Sequence, residues 1–339
     1  MAGFGKFSSA IALLLAAQAA TAAPFILNEY NAVAKNNYLD AGSYKNSNKE
    51  DAWFAQVALG DPHLIDGRIE GNGGNWVELV VVQDHLNLRG WQLKWAEAGA
   101  SDVDPGIGNI WFGDPTVEQG VLTFSPTAEI WADVRSGTII TVSQSPDIEV
   151  DTDVEADGDR NFTRGLDAGD PEVDMVIDMT TDTSYDPVGG DWWIHVSTKG
   201  ELAAFEANNQ HDRLIVAVTN VQDDDPGDFS VGDQDWQMRI FDANGVLKFG
   251  PVGEDIHGWG GGGVNDEEVG KLQADPSGAI GVGDYEDGTT STLGMPNVWS
   301  GGQQWQDFSA LRAWVPEPTT LLLLGAALPA GLRRRHRRD

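Results

Sequence analysis

The 339-residue chain contains no cysteine, which excludes a disulfide framework, a zinc-thiolate site, an iron–sulfur cluster and a thiol nucleophile. Basic charge is also scarce. Against 53 Asp and Glu stand only 21 Lys and Arg, giving a formal net charge of −32. Phosphate backbones are held by clustered Lys and Arg, so this balance argues against nucleic acid as a partner and leaves cations and basic surfaces. His63, His85, His195, His211 and His257 are scattered, with no H-x-H or H-E-x-x-H spacing to fix zinc, and no Gly-x-Ser-x-Gly marks a nucleophile elbow. Helical signals are few. The run Glu201 to Ala207 is short, and Asn265-Asp266-Glu267-Glu268 reads as a capping box opening a helix from Asp266 to Gln273.

What is abundant points to β-structure: 41 Gly, 15 Pro and 13 Trp in a chain that is 41% apolar. Apolar runs of strand length alternate with Gly, Pro, Asn and Asp clusters. A first set comprises Ile26 to Val33, Trp76 to Val82, Leu88 to Leu93, Val121 to Phe124 and Thr138 to Ser143. A second comprises Trp192 to Ser197, Leu214 to Thr219, Trp236 to Phe241 and Val246 to Phe249. Trp236, Met238 and Ile240 share one face of their strand, with Gln237 and Arg239 on the other. The Asn244-Gly245 step tolerates positive φ, so the last two runs are expected to pair as a hairpin.

The two ends carry topology. Lys6, the apolar run Ile11 to Ala20 and the small residues Ala20-Thr21-Ala22 form a secretory signal over residues 1–22, cut after Ala22. At the other end Val315-Pro316-Glu317-Pro318 precedes an apolar run from Thr319 to Leu332 and then Arg333, Arg334, Arg335, Arg337 and Arg338. As a helix this run would span about 21 Å, short of a hydrocarbon core of about 30 Å, so it anchors weakly. Arginines held in the cytoplasm leave Pro-Glu-Pro outside. This order over residues 315–338 closely resembles the PEP-CTERM sorting signal of Gram-negative and related bacteria. The resemblance implies an exosortase as processing partner, cutting near Pro316 to Pro318. It further implies transient inner-membrane anchoring, then delivery to the cell surface or an exopolysaccharide matrix. Removing both ends takes away Lys6, five arginines and Asp339, leaving 15 basic against 52 acidic residues, a net of −37.

The runs Ile26-Leu27-Asn28-Glu29, Asn75 to Leu79, Leu86 to Leu93, Leu122-Thr123-Phe124 and Ser136 to Val142 resemble successive strands of a lamin-tail domain. Its late strands and closing Pro-Gly-x-x-Asn recur as Trp236 to Val252 and Thr292-Leu293-Gly294-Met295-Pro296-Asn297, with Leu293 in place of the proline. The resemblance implies an all-β, immunoglobulin-like antiparallel sandwich over residues 23–311, with a long acidic insertion near 145–191. Two sandwiches divided near Ser145 form the alternative. It also implies a structural role for Glu29 and Glu78. Within Trp76-Val77-Glu78-Leu79-Val80 a buried carboxylate must find donors, which favours loop anchoring over acid–base catalysis.

Two acidic clusters invite calcium. In Asp151-Thr152-Asp153-Val154-Glu155-Ala156-Asp157-Gly158-Asp159 the carboxylates alternate around a glycine, but Arg164 stands where an EF-hand needs its bidentate acid. A looser calcium loop through Asp151, Asp153, Glu155, Asp157 and Asp159 stands beside a solvated acidic insertion. The stretch Asp147 to Asp191 holds 15 acids, with only Arg160 and Arg164 as bases. Asp223 to Asp228 with Asp233 and Asp235 poses the same choice. Among the tryptophans, Trp76, Trp91, Trp131 and Trp236 read as core, whereas Trp193, alternating with His195 and Ser197 on the outer face, is the candidate for stacking on a sugar ring. The expected function is that of an exported, non-enzymatic binding or structural protein. A calcium-dependent carbohydrate-binding module or glycan-active enzyme is the alternative.

Overall fold

The computed structural model describes residues 22–32, 76–97, 112–113, 117–144, 181–200, 203, 213–219, 229–232, 236–254, 264, 268–288, 292–299, 303–304 and 306–313. Among these described residues thirteen strands follow in chain order: β1 Phe25–Asn31, β2 Trp76–Val81, β3 Gln92–Glu97, β4 Glu118–Phe124, β5 Ile139–Ser143, β6 Trp193–Ser197 and β7 Ile215–Thr219. They continue as β8 Trp236–Phe241, β9 Leu247–Gly253, β10 Val269–Leu272, β11 Tyr285–Gly288, β12 Val298–Trp299 and β13 Gln303–Gln304. Two sheets build an all-β sandwich, one of order β11-β10-β1-β2-β5-β6 and one of order β7-β4-β3-β8-β9. Early and late halves interleave in both sheets, because β1 pairs with β10 and β3 with β8. All pairs are antiparallel except β5 with β6.

Alternation sets the interior. Leu27, Leu79, Ile140 and Ile194 form one inward row across the first sheet, and Tyr30, Val77, Val142 and Val196 form another, all buried. From the second sheet Leu93, Trp95, Leu122, Trp236, Met238 and Ile240 meet them. Edge-to-face aromatic contacts run from Phe25 to Phe124 at 5.7 Å and from Phe124 to Trp131 at 5.0 Å between ring centres. Gly120 faces Trp95 across the β3–β4 pair. A Cβ there would lie 1.9 Å from the indole, so only glycine lets the ring cross the strand.

Four local expectations meet the structure differently. The Asn244-Gly245 hairpin forms as expected: β8 pairs with β9, Gly245 has φ of +76°, and Asp242 Oδ1 accepts from the Asn244 and Val246 amides. The expected helix at Asp266 to Gln273 is instead β10, because Val269–Leu272 completes the otherwise open side of β1. That tertiary pairing outweighs the local capping pattern. The expected strand from Leu88 to Leu93 begins later, at Gln92, because residues 89 and 90 turn the chain with Gly90 at φ of +74°. At the expected helix of residues 201–207, the described helical residues are 198–200 and 203.

Candidate functional site: a buried polar network beneath a C-terminal strap

The outward face of the six-stranded sheet is where polar chemistry concentrates. The register aligns Glu286, Lys271, Glu29, Glu78, Thr141 and His195 in one row across β11, β10, β1, β2, β5 and β6. A β-bulge between Leu27 and Glu29 inserts Asn28 as an extra residue in β1, so two consecutive polar side chains serve the same network. Such a face would normally be solvated. Here Asn28, Glu29, Glu78, Lys271, Thr141 and His195 are all fully buried, and Thr292, Gly294 and Gln306 from a C-terminal strap bond directly to Glu29, Glu78 and Asn28.

Hydrogen bonds define the strap. Glu29 accepts from the Thr292 amide at 3.0 and 3.1 Å and from the Thr292 hydroxyl. Glu78 accepts from the Gly294 amide and from Asn28 Nδ2, each at 2.6 Å. Asn297 Nδ2 donates to the carbonyls of Asn28 and Leu272, while its Oδ1 accepts from Asn28 Nδ2 and the Thr292 hydroxyl. Gln306 Nε2 donates to Asn28 Oδ1 at 2.6 Å and to the carbonyls of Leu272 and Ala274, and Gln306 Oε1 accepts from the Asn297 amide. Further along, Ser136 Oγ donates to the Leu311 carbonyl and Arg312 Nε to the Gly137 carbonyl. The Arg312 guanidinium also lies over the rings of Phe308 and Trp192 at 4.8 and 5.3 Å.

The electrostatics follow from burial. Desolvation, and then the charge of Glu29, pushes Glu78 well above the usual carboxyl range, against the hydrogen bonds from Asn28 and Gly294. Burial lowers Lys271 while Glu29 and Glu78 oppose the shift. Arg312 is lowered to about 10 by burial, with Glu78 opposing. The two carboxylates therefore anchor a loop more than 200 residues downstream, as the pattern around Glu78 suggests.

His195 overturns the surface expectation. It is fully buried, with Nδ1 2.6 Å from Thr141 Oγ1 and Nε2 3.1 Å from Ser143 Oγ. Trp193 Nε1 donates to the same Thr141 oxygen at 2.9 Å. Trp193 itself is partly exposed, and a Cβ on Gly294 would lie 3.0 Å from its indole, so the strap rests against the ring. At φ of +78°, Gly294 combines that close approach with the turn that aims its amide at Glu78.

A second polar cluster is exposed. Arg135 clasps Asp84 through two bonds of 2.7 and 3.1 Å, and His85 Nδ1 lies 2.8 Å from Asp133. Burial pushes Asp84 up, but the bonds from Arg135 and Ser136 outweigh it and hold the carboxyl below its usual range. The Asp133 hydrogen bond holds His85 above the usual imidazole range. A cavity of about 340 Å³ beside Ala23, Phe249, Pro251 and Ile280 is lined by apolar groups and backbone, apart from Lys248.

Several sequence candidates fall outside the described residues: Asp151, Asp153, Glu155, Asp157 and Asp159; Asp223 to Asp228 with Asp233 and Asp235; His63, His211 and His257; and the tail with Val315, Pro316, Glu317, Pro318 and the five arginines. Among the described residues no group of His, Asp or Glu is placed to hold a metal ion, and no helix is long and apolar enough to cross a membrane. Sequence reasoning missed Asn28, Lys271 and Gln306. The adjacent polar pair Asn28-Glu29 inside an apolar strand was the available signal for the bulge, whereas Gln306 carries none. Comparisons with family models, with curated proteins and with solved structures found no match.

Proposed function

We propose that this is an exported cell-surface or extracellular-matrix protein whose lamin-tail-like sandwich acts as a non-enzymatic binding or structural module, delivered by an exosortase. The observation that carries this reading is the order of Pro316-Glu317-Pro318, apolar run and arginine cluster, the one order that leaves the processing site outside the membrane. The sandwich is compatible with that role. Its paired carboxylates, Glu29 and Glu78, are fully buried and bonded to the strap, an arrangement that serves anchoring and offers a substrate no approach.

Replacing Pro316, Glu317 and Pro318 by alanine tests the sorting reading. An uncut, membrane-held species is expected on fractionation, and unchanged size and location would refute it. Incubating the purified protein with a polysaccharide array, with and without chelator, tests the module's role. Chelator-sensitive glycan binding, or glycan cleavage, would instead favour a calcium-dependent carbohydrate-binding module or a glycan-active enzyme.

A further inference from the structure

We propose that Lys94 and Arg239, side by side on the outward face of the five-stranded sheet, form a binding site for the carboxylates of an acidic polysaccharide. The register sets Lys94 on β3 directly opposite Arg239 on β8. Both point outward and are half-buried, because Leu93, Trp95, Met238 and Ile240 on either side of them turn into the core. Like charges directly opposite in a sheet repel, yet among the described residues neither cation has an acid to pair with. Their neighbours along the strands are Gln92, Ala96, Gln237 and Phe241, and Val121 stands beside Lys94 on β4. On its other side Arg239 has no register partner, because β9 bulges there at Gly250 and Pro251. A cation pair that meets no carboxylate is the exception in a chain with 53 acids and 21 bases. Elsewhere Arg89, Arg135 and Lys248 hold Glu129, Asp84 and Asp242.

The geometry of the pair suits a carboxylate. The Arg239 guanidinium lies over Phe112, 4.1 Å from the ring centre, and Lys94 Nζ lies 4.8 Å from the centre of the Phe241 ring. Phe112 packs on Ala96 and Val117, which holds the plane of the guanidinium. No protein group serves Arg239 in return: Nε is buried without a hydrogen-bond partner, and burial alone lowers the group from its ordinary range. A guanidinium stacked in this way directs its two Nη groups within its own plane, as a fork that a carboxylate meets with two parallel bonds. The Lys94 ammonium beside it adds the second charge, and an anion between the two relieves their repulsion.

Two features choose the carrier of that carboxylate. Lys94 and Arg239 stand on inner strands of the order β7-β4-β3-β8-β9, so a peptide cannot dock there by adding a strand. Recognition falls to side chains: the cation pair, the Gln92 amide, and the apolar ground of Val121 and exposed Val218 in the same register row. A uronate ring presents the matching groups, a carboxylate at its edge, hydroxyls for an amide and a C–H face for the valines. Its charge is also sparse. Two cations cannot hold a dense phosphate backbone against a net charge of −32, whereas the repulsion felt by a single carboxylate is screened over about 8 Å at physiological ionic strength. The site gives the sandwich's binding role a ligand, rests on that reading rather than on the sorting tail, and needs no calcium.

The test is calorimetric titration of the purified full chain with polygalacturonate, and with the same polymer after methyl esterification of its carboxyls. Polygalacturonate is expected to bind whether or not chelator is present, and esterification to weaken binding about tenfold, as the loss of a charge-assisted hydrogen bond requires. That comparison uses the unmodified protein, so it stands whatever a substitution does to folding. Arg239→Gln and Lys94→Gln should each weaken binding, and Arg239→Lys should not restore it, because an ammonium lacks the planar fork. No binding of polygalacturonate, equal affinity for the esterified polymer, or full affinity in the Lys94→Gln, Arg239→Gln double variant would each overturn the proposal. Tighter binding of polyglutamate would do so too, and would assign the site to an acidic peptide. Glycan binding that survives the double variant would leave the sandwich a binding module and remove only this site.

Discussion

Asn28→Ala tests how firmly the network holds the strap. Asn28 Nδ2 donates to Glu78 Oε1 at 2.6 Å and to Asn297 Oδ1 at 3.2 Å, and its Oδ1 accepts from Gln306 Nε2 at 2.6 Å. Asn297 Oδ1 retains the Thr292 hydroxyl, and Gln306 Nε2 retains the Leu272 and Ala274 carbonyls. The unrelieved loss falls on Glu78 Oε1, a hydrogen bond to a carboxyl worth about 1.5–3 kcal/mol when charged, with about 1 kcal/mol for each neutral bond. A destabilisation of about 3–5 kcal/mol is therefore expected in urea unfolding, with an unchanged slope against denaturant. Asn28→Asp keeps the shape but turns the donor into an acceptor facing Glu78, so it should cost more than alanine at neutral pH and recover on acidification. A double-mutant cycle with Gln306→Ala should give a coupling above about 0.5 kcal/mol, because the two amides touch. An Asn28→Ala protein within about 1 kcal/mol of the parent would refute the claim that this network secures the strap.

Two further outcomes are expected. Calcium bound by the acidic insertion in the native protein and not in the unfolded chain, at a hundredfold excess over Kd, would add about 2.7 kcal/mol, so chelation should lower Tm. Sodium chloride at matched ionic strength should not reproduce the shift, and replacing Asp153, Asp157 and Asp159 by Asn should remove it. Equal shifts from calcium and salt would leave these acids as a solvated face. His85, hydrogen-bonded to Asp133, should titrate by NMR above about 6.5. Its contribution to stability is then present at low pH and lost as pH rises through the folded value, and Asp133→Asn should return the midpoint toward the ordinary one.

Local sequence was sufficient wherever the deciding interaction is local or period-two. Trp236, Met238 and Ile240 turn inward because side chains alternate along a strand, and Asn244-Gly245 closes its hairpin because that step tolerates positive φ. The acidic charge of the chain and the order of elements in its C-terminal tail are likewise properties of the sequence alone. Tertiary structure decided the rest. β10 is a strand because β1 had an open edge, whatever its local capping pattern favoured. His195 follows the alternation that places it on the outward face, yet it is itself fully buried, bonded to Thr141 and Ser143 on the neighbouring strand. Burial beside the C-terminal strap raises Glu78 and lowers Lys271, shifts that depend on neighbours far away in the sequence. No periodicity announces such burial. It arises from contacts between residues hundreds of positions apart, and a sheet face reads as polar in sequence whether water or another stretch of the same chain satisfies it.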